Sequence, residues 1–181
     1  MKTEAFADSR IGALFIRMMG AVMESRFRYR FFGPMKILQG VNIRPGQTVL
    51  EVGCGTGFFT MTAARLIGDE GTLVAMDVLP VSVKTVSEKV RAAGLKNVCV
   101  VKGDALDTKL DTESMDVVLL FGVIPAPMIP LDRLLPEMHR ILKPEGMMAV
   151  WPSSWVLQSI HGSGLFAIIG KRNHVCRFRK C

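Results

Sequence analysis

The sequence lacks the features of several protein classes. Its four cysteines, at positions 54, 99, 176 and 181, form no C-x-x-C pair. That spacing argues against a disulfide framework or a zinc site and favours a reducing compartment. No apolar run reaches the roughly 18 residues of a membrane-spanning helix, because Arg17 interrupts the longest candidate, 11–23. The N-terminus has no small-residue cleavage site typical of a secretory signal, so we expect a cytoplasmic protein.

Acidic residues are scarce at both ends of the chain. Residues 1–44 carry a net charge of +5, and residues 161–181 carry +5 without a single acid, whereas residues 45–160 carry −3. Basic ends can meet nucleic acid, anionic lipid or an acidic substrate, and they can equally be a solvated surface. With 181 residues, 49% of them hydrophobic and 22% charged, the chain has the composition of one folded globular domain.

Strand-like and helix-like stretches alternate through the middle of the chain. Helical patterns separate five near-continuous apolar runs, which predict strands at 48–52, 72–77, 97–102, 116–121 and 147–151. Such alternation is typical of a parallel sheet with helices on both faces. The last thirty residues break the pattern, since 165–170 and 175–180 predict two strands whose short connection requires an antiparallel hairpin. We therefore expect an α/β, Rossmann-like doubly wound sheet of seven strands, mostly parallel, with an antiparallel C-terminal hairpin strand.

Glycine and proline predict the breaks between these elements. Pro34 can start a short helix that Gly40 closes. Residues 143–146, Lys-Pro-Glu-Gly, predict the stop of a helix before the fifth strand, and a further short helix is predicted at 153–160. Residues 10–26 have the pattern of an amphipathic helix, so we divide the chain into an N-terminal helical cap segment, 1–35, and one domain over 36–181.

The most informative stretch is a glycine-rich corner after the first strand. Gly53, Gly55 and Gly57 follow Glu51 in the pattern E-x-G-x-G-x-G. Glycines at such a corner allow a sharp turn and let a ligand lie against bare main chain, and the following helix offers unpaired N–H groups. The dinucleotide fingerprint G-x-G-x-x-G does not fit, because position 58 is Phe.

Suitable residues also close the next three strands. Asp77 ends the second strand, where a carboxylate can accept hydrogen bonds from both hydroxyls of a ribose. Asp104 follows the third strand, where it can accept a hydrogen bond from an adenine amino group, and Phe121 ends the fourth. Because the carboxyl ends of parallel strands meet at one edge of a sheet, we expect a ligand site there.

With these strand ends in order, residues 36–181 resemble the class I S-adenosylmethionine (SAM)-dependent methyltransferases. Residues 137–146 match the E-x-H-R-x-L-K-P-x-G stretch of the group that includes the ubiquinone and menaquinone biosynthesis methyltransferases. The resemblance implies SAM as cofactor and S-adenosylhomocysteine as product. It implies a cofactor site made of Glu51, Gly53, Cys54, Gly55, Gly57, Asp77, Val78, Asp104, Ala105 and Phe121.

In that family Glu51 and the glycines would face the methionine part of SAM, Asp77 the ribose, and Asp104 with Ala105 the adenine. We predict no metal site and name no catalytic residue, because an activated methyl donor needs positioning more than acid–base catalysis. His139, within the matching stretch, is expected to have a packing or surface role.

The sequence leaves the methyl acceptor open. Residues 121–125 lack the Asn/Asp-Pro-Pro-Tyr/Phe motif of enzymes that methylate nucleobase or glutamine amino groups, which favours a small-molecule, lipophilic acceptor over nucleic acid. One alternative is an RNA or protein methyltransferase that docks through the basic ends, and another is a SAM-binding regulatory or assembly protein without turnover. The N-terminal segment can serve as a lid, as a peripheral membrane contact or as an oligomer interface.

Overall fold

The computed structural model describes residues 33–124, 129–151 and 156–181, which form one sheet with helices packed around it. The strands are β1 (Thr48–Val52), β2 (Thr72–Asp77), β3 (Val98–Lys102), β4 (Met115–Phe121), β5 (Leu142–Trp151), β6 (Phe166–Arg172) and β7 (Val175–Lys180). The helices are α1 (Pro34–Val41), α2 (Thr60–Ile67), α3 (Pro80–Ala92), α4 (Leu131–Ile141) and α5 (Leu157–Gly162).

The predicted sheet is confirmed in strand number, direction and type. Its seven strands follow the order β3-β2-β1-β4-β5-β7-β6, and every pairing from β3 through β5 is parallel. β7 pairs antiparallel with both β5 and β6, so it alone runs against the others. The chain order reverses next to β1, and the carboxyl ends of the central strands therefore open a crevice at one edge of the sheet.

Alternate side chains of the central strands build two separate cores. On one face, Leu50 and Leu120 pack with residues of α4 and α5 such as Met138 and Ile160. On the other face, Val49, Leu119 and their neighbours pack with apolar residues of α1 and α2. Because both faces are covered, the strands are apolar throughout rather than alternating, which explains why the sequence shows continuous apolar runs.

Two predicted boundaries differ in part from the structure. The helix predicted to stop before residue 143 does end there, since α4 ends at Ile141, but a strand begins at once instead of after residue 146. Gly40 does not close α1 but is its penultimate residue, and glycine is needed there because a Cβ would come within 2.4 Å of the Arg172 carbonyl oxygen of β6. Asn42, with φ of 67°, provides the left-handed residue that ends α1. Residues 143–146 belong to β5, and an irregularity in the ladder absorbs them, since Leu142 pairs with Met115 whereas Met147 pairs with Val117.

The C-terminal hairpin is tighter than its sequence predicts. β6 extends to Arg172, which leaves a two-residue turn, Asn173-His174, with φ values of 48° and 63°. Two successive left-handed residues match the right-handed twist of the flanking strands, and Asn favours this conformation. The helix predicted at 153–160 is observed over Leu157–Gly162, and residues 152–155 are outside the described part of the chain.

The predicted N-terminal helix over 10–26 and most of the cap segment also lie outside the described residues. Within the described part of the chain, none of the helices has the length and apolar character required to cross a bilayer.

Candidate cofactor site

A pocket of about 200 Å³ opens where β1, β2 and β3 end side by side. Its walls come from the loops that follow these strands and from residues near the end of β4. They are Val52, Gly53, Met76, Asp77, Val78, Gly103, Asp104, Ala105, Leu106, Val123 and Ile129. The lining is therefore mainly apolar, with two carboxylates and exposed main chain at the strand ends, as in many small-ligand sites.

The glycine loop is fastened to the neighbouring strand. The backbone N–H groups of Gly53 and Cys54 both donate to the Met76 carbonyl oxygen, at 2.8 and 3.0 Å. Gly53, Gly55 and Gly57 all have positive φ, of 69°, 55° and 83°, which L side chains rarely adopt. A Cβ on Gly55 would meet nothing closer than the Gly53 carbonyl oxygen, at 3.9 Å. Gly55 is thus required by its backbone conformation, and open space is left beside it.

Asp77 links the glycine loop to the end of β2. One carboxylate oxygen accepts the Gly55 N–H at 2.8 Å, and the other accepts the Leu79 N–H at 2.9 Å. The residue is 7% exposed and lines the pocket. Burial raises the pKa of Asp77, although the hydrogen bonds from Leu79, Gly55 and Ser82 oppose that rise. Four protein donors already surround the carboxylate, those of Gly55, Val78, Leu79 and Ser82, so a ligand hydroxyl on the pocket side would share its lone pairs with them.

Glu51 is a buried acid directly behind the glycine loop. It is 2% exposed, and its carboxyl lies 2.6 Å from the hydroxyl of Thr60, in the first turn of α2. Burial raises the pKa of Glu51 to about 8, the Thr60 hydrogen bond opposes this, and the charge of Asp77 adds to it. At neutral pH the Glu51 carboxyl is therefore mostly protonated. Burial, together with Glu51 and Asp77, also raises the pKa of the Cys54 thiol, which stays neutral and unreactive.

The loop after β3 closes the other side of the pocket. The Gly103 N–H donates to the Asp77 carbonyl oxygen at 3.1 Å, which ties this loop to the end of β2. Asp104 is exposed, and its carboxylate accepts the Leu106 N–H at 2.9 Å. A Cβ on Gly103 would lie 2.9 Å from the Met76 sulfur, so a larger residue there would have to displace the Met76 side chain that lines the pocket. Asp77 and Asp104 thus line one pocket, as the sequence predicts.

The predicted site residues fall into three groups. Gly53, Asp77, Val78, Asp104 and Ala105 line the pocket. The other five lie behind the pocket wall or beside the pocket. Glu51, Cys54, Gly55 and Gly57 belong to β1 or to the glycine loop without being part of the pocket wall, and Phe121 packs on aromatic rings at the end of β4.

The rings around Phe121 form an aromatic cluster of Phe58, Phe59, Phe121 and Trp151. Ring centroids are 4.9 Å apart for both Phe58–Phe59 and Phe59–Phe121, and 5.8 Å apart for Phe59–Trp151, all near edge-to-face. The cluster lies where β4 and β5 end, so it forms an apolar corner beside the pocket rather than its wall.

Sequence reasoning missed half of the pocket wall. Val52, Met76, Gly103, Leu106, Val123 and Ile129 line the pocket without having been predicted. Val52 and Met76 each lie next to a predicted site residue, which is a usable signal. Val123 and Ile129 carry no such signal in the sequence. They lie on either side of residues 125–128, which the structure does not describe. Thr60 was missed as well, although a hydroxyl in the first turn after a glycine loop is a natural partner for a buried acid.

Residue 139 lies away from this site, on α4. The His139 ring packs edge-on against Phe166, with centroids 5.8 Å apart, and one ring nitrogen lies 3.1 Å from the Cys181 carbonyl oxygen. Among the described residues, no group of three or more His, Cys, Asp or Glu side chains is arranged to hold a metal ion.

The strand order with its reversed β7, the glycine loop after β1 and the acid that ends β2 together define a class I SAM-dependent methyltransferase fold. A family model described as "Methyltransferase domain" matches residues 49–146, more than half of the chain, and the chain belongs to that family. SAM is the cofactor of this class.

Similar proteins agree with this assignment. The chain is 31% identical, over 139 residues, to a demethylmenaquinone methyltransferase from Geobacillus kaustophilus, a match that covers 76% of this chain and 57% of that protein. It is 33% identical, over 112 residues, to the one from Geobacillus stearothermophilus, which covers 61% and 47%. The chain thus spans about half the length of these relatives.

Among solved structures, a SAM-dependent methyltransferase from Aquifex aeolicus matches with a TM-score of 0.75 at 23% identity. The match covers 92% of this chain and 96% of that one, and it supports the fold.

Proposed function

We propose that this chain binds SAM in the pocket at the ends of β1–β3 and transfers its methyl group to a small, lipophilic acceptor. Asp77 would hold the ribose, Asp104 and Ala105 the adenine, and the glycine loop the methionine part. The observation that carries this proposal is Asp77, whose buried carboxylate lines the pocket while accepting the Gly55 N–H at 2.8 Å. The same carboxylate thus contacts the glycine loop and would accept the hydrogen bonds of the ribose hydroxyls.

The residues present fit SAM in shape and charge. Open space lies beside Gly55, apolar walls flank the pocket, and the Asp77 carboxylate lies at the glycine loop. Opposite charge at short range favours a cationic ligand over a neutral one.

The protein's part in the reaction is positioning. When bound, SAM supplies an activated methyl group, which passes to the acceptor while the electron pair of the broken carbon–sulfur bond stays on sulfur. The glycine loop and Asp77 hold the donor, and the apolar walls keep water away from the reacting atoms. An acceptor that enters the site already ionised, as a stabilised carbanion or thiolate, has no proton left to lose, so no buried base is required.

Three observations favour a small lipophilic acceptor. The relatives matched over most of this chain are named for a quinone precursor. The aromatic cluster places Phe121 and the half-buried Trp151 at the ends of β4 and β5, next to the pocket, where an apolar ring could pack. The sequence following β4 also lacks the motif of amino-group methylation.

The test is to incubate the chain with methyl-labelled SAM and a cell extract and then separate lipid-soluble molecules, RNA and protein. We expect label in the lipid-soluble fraction with the wild-type chain and none with Asp77→Asn. Label in RNA or protein would instead support a macromolecular acceptor. Binding of SAM without any transfer of label would support a regulatory or assembly role.

A further inference from the structure

We infer that the outer edge of the C-terminal hairpin is a docking surface for an anionic lipid bilayer. Four large apolar side chains stand out as exposed among the described residues, and two of them, Ile168 at 47% and Ile169 at 43%, are adjacent on β6. β6 is the terminal strand of the sheet, and its outer edge pairs with no other described strand. An exposed aliphatic pair on an open edge is a feature that soluble surfaces usually avoid.

Cations surround this aliphatic pair. Lys171 and Arg172 follow it after Gly170 and are exposed, and Arg179 is exposed on the neighbouring strand β7. Residues 161–181 contain no acid at all. Within the described part of the chain, no ion pair involves Lys171 or Arg172. The surface therefore joins apolar side chains to uncompensated positive charge, which is the combination that binds at an anionic bilayer interface.

Helix α1 enlarges the same surface. The Asn173 side chain donates to the Lys36 carbonyl oxygen at 2.6 Å, so the hairpin turn is fixed against the start of α1. Next to that contact lies Met35, a third exposed apolar side chain at 45%, beside the exposed Lys36. Three of the four exposed large apolar side chains thus belong to the hairpin or to the helix bound to its turn.

The surface is at the correct edge of the sheet to serve the active site. β6 runs in the same direction as β5, so Arg172 and the turn lie at the carboxyl edge, where Trp151 ends β5 and the pocket opens further along. A bilayer contacting the turn would face the acceptor side of the site.

Other occupants fit the surface less well. A second copy of this chain, paired edge to edge, would bring two sets of cations together without a compensating acid. Nucleic acid would match the charge but not the aliphatic pair, and single strands need aromatic rings on which bases stack. Both hairpin rings, Phe166 and Phe178, are buried. A bilayer accommodates both features, since basic side chains can extend to headgroups while their stems cover apolar surface.

Sedimentation of the chain of residues 1–181 with lipid vesicles tests the inference. The assay contains neither SAM nor acceptor, so its outcome is independent of the proposed reaction. We expect binding to phosphatidylcholine vesicles that contain phosphatidylglycerol, and weak binding to phosphatidylcholine alone or at high salt. Lys171→Gln with Arg172→Gln should weaken partitioning about twenty-five-fold, at about fivefold for each charge near the surface. Ile168→Ser with Ile169→Ser should also release the chain.

Matched controls are available elsewhere on the molecule. Val81→Ser removes the fourth exposed apolar side chain, at 53%, and Arg91→Gln with Lys96→Gln removes two exposed cations near β3. Both should bind vesicles as wild type does, and circular dichroism should show all variants folded. The inference is overturned if wild type does not sediment with anionic vesicles. It is equally overturned if the folded hairpin variants bind anionic vesicles as tightly as wild type. This holds whatever the effect of removing residues 1–30.

Discussion

Asp77 has two roles that both depend on its negative charge, which burial opposes. As a structural residue it accepts two backbone N–H groups and holds the glycine loop against β2. As the proposed ribose ligand it must keep its remaining lone pairs directed into the pocket. Both roles need the ionised carboxylate, yet burial raises its pKa. Hydrogen bonds from the Leu79 and Gly55 N–H groups lower that pKa and so offset part of the cost of burying the carboxylate at a 7% exposed position.

Asp77→Asn should therefore lower SAM affinity strongly. The variant keeps the shape of the side chain but loses charge-assisted hydrogen bonds, each worth about 1.5–3 kcal/mol, so a loss of at least tenfold in affinity is expected. Calorimetry with SAM measures it. Asp77→Ala should in addition lower the free energy of unfolding by about 1–3 kcal/mol, because two loop N–H groups lose their acceptor. Asp69→Asn, at an exposed acid, is the control, and wild-type affinity in folded Asp77→Asn would remove the ribose assignment.

Glu51 should make the folded state less stable as pH rises. Its pKa is about 8 when folded and near 4.5 when unfolded, so between these values the folded state holds a proton that the unfolded state releases. The free energy of unfolding then falls by about 1.4 kcal/mol per pH unit from this group alone. Glu51→Gln keeps the side chain neutral, and this slope should disappear. Urea denaturation from about pH 5 to 8 measures the difference, and parallel profiles for the two proteins would show that Glu51 does not titrate in this range.

At single residues, the sequence predicts which side chains share the site better than it predicts their burial and protonation. Asp77 and Asp104 could be assigned to one pocket because parallel strands share a carboxyl edge. The protonation of Glu51 could not be predicted, since it depends on burial behind the loop and on Thr60. Phe121 ends its strand at the predicted edge, but the strand's pleat directs its ring to the cluster with Phe59 and Trp151.

Helix α4 holds the loop that follows the pocket residue Asp104. It does so through Glu137 and Arg140, which also form an ion pair with each other. Glu137 accepts hydrogen bonds from the Thr108 N–H and hydroxyl, at 2.8 and 2.6 Å, and from two nitrogens of the Arg140 guanidinium, both at 2.8 Å. Arg140 also donates to the Leu110 carbonyl oxygen at 2.8 Å. The Glu and Arg of the E-x-H-R stretch thus fasten the loop that follows Asp104 to the body of the fold. The matching motif is explained by loop anchoring rather than by catalysis.

Glu137→Gln should loosen that loop. We expect a loss of about 1–3 kcal/mol in the free energy of unfolding, since the charged partner of Arg140 and Thr108 disappears, together with a smaller loss in SAM affinity. Arg140 lowers the pKa of Glu137 to about 2, so its contribution is present above about pH 4.5 and is lost as pH falls toward 2.

Glu145→Gln provides the comparison for Glu137→Gln, because Glu145 is an exposed acid in the same motif. It should change stability by less than about 0.5 kcal/mol. Equal stability of the two variants, measured by denaturant titration, would contradict the anchoring role.

The elements themselves were largely predictable, and the exceptions share a cause. Strands 48–52 and 72–77 match β1 and β2 in full, because buried parallel strands are short apolar runs bounded by turn residues. Gly40 and residues 143–146 were read as breaks from their local chemistry alone. In the fold, the contact between Gly40 and β6 and the pairing of β5 with β4 override that preference.

Charge and topology combine at the scale of the whole molecule. The acidic middle of the chain forms the proposed cofactor site, and the basic C-terminal strands occupy the far end of the same sheet. A cationic cofactor and an anionic surface would thus bind at separate ends of one carboxyl edge. The sequence shows both charge blocks, but only the strand order β5-β7-β6 brings the second block beside the acceptor side.

Deletion of residues 1–30 tests the role of the N-terminal segment. The described residues from Ile37 onward form buried clusters on both faces of the sheet, so we expect the truncated chain to keep its fold by circular dichroism. If the segment is a lid, turnover of a soluble acceptor should fall sharply, because the pocket at the ends of β1–β3 would lose its cover against water. Binding to anionic vesicles should persist, since the hairpin surface is retained. If the truncated chain instead keeps full activity in solution but no longer binds vesicles, the lid interpretation is wrong. The three arginines within residues 26–30 would then be the membrane contact.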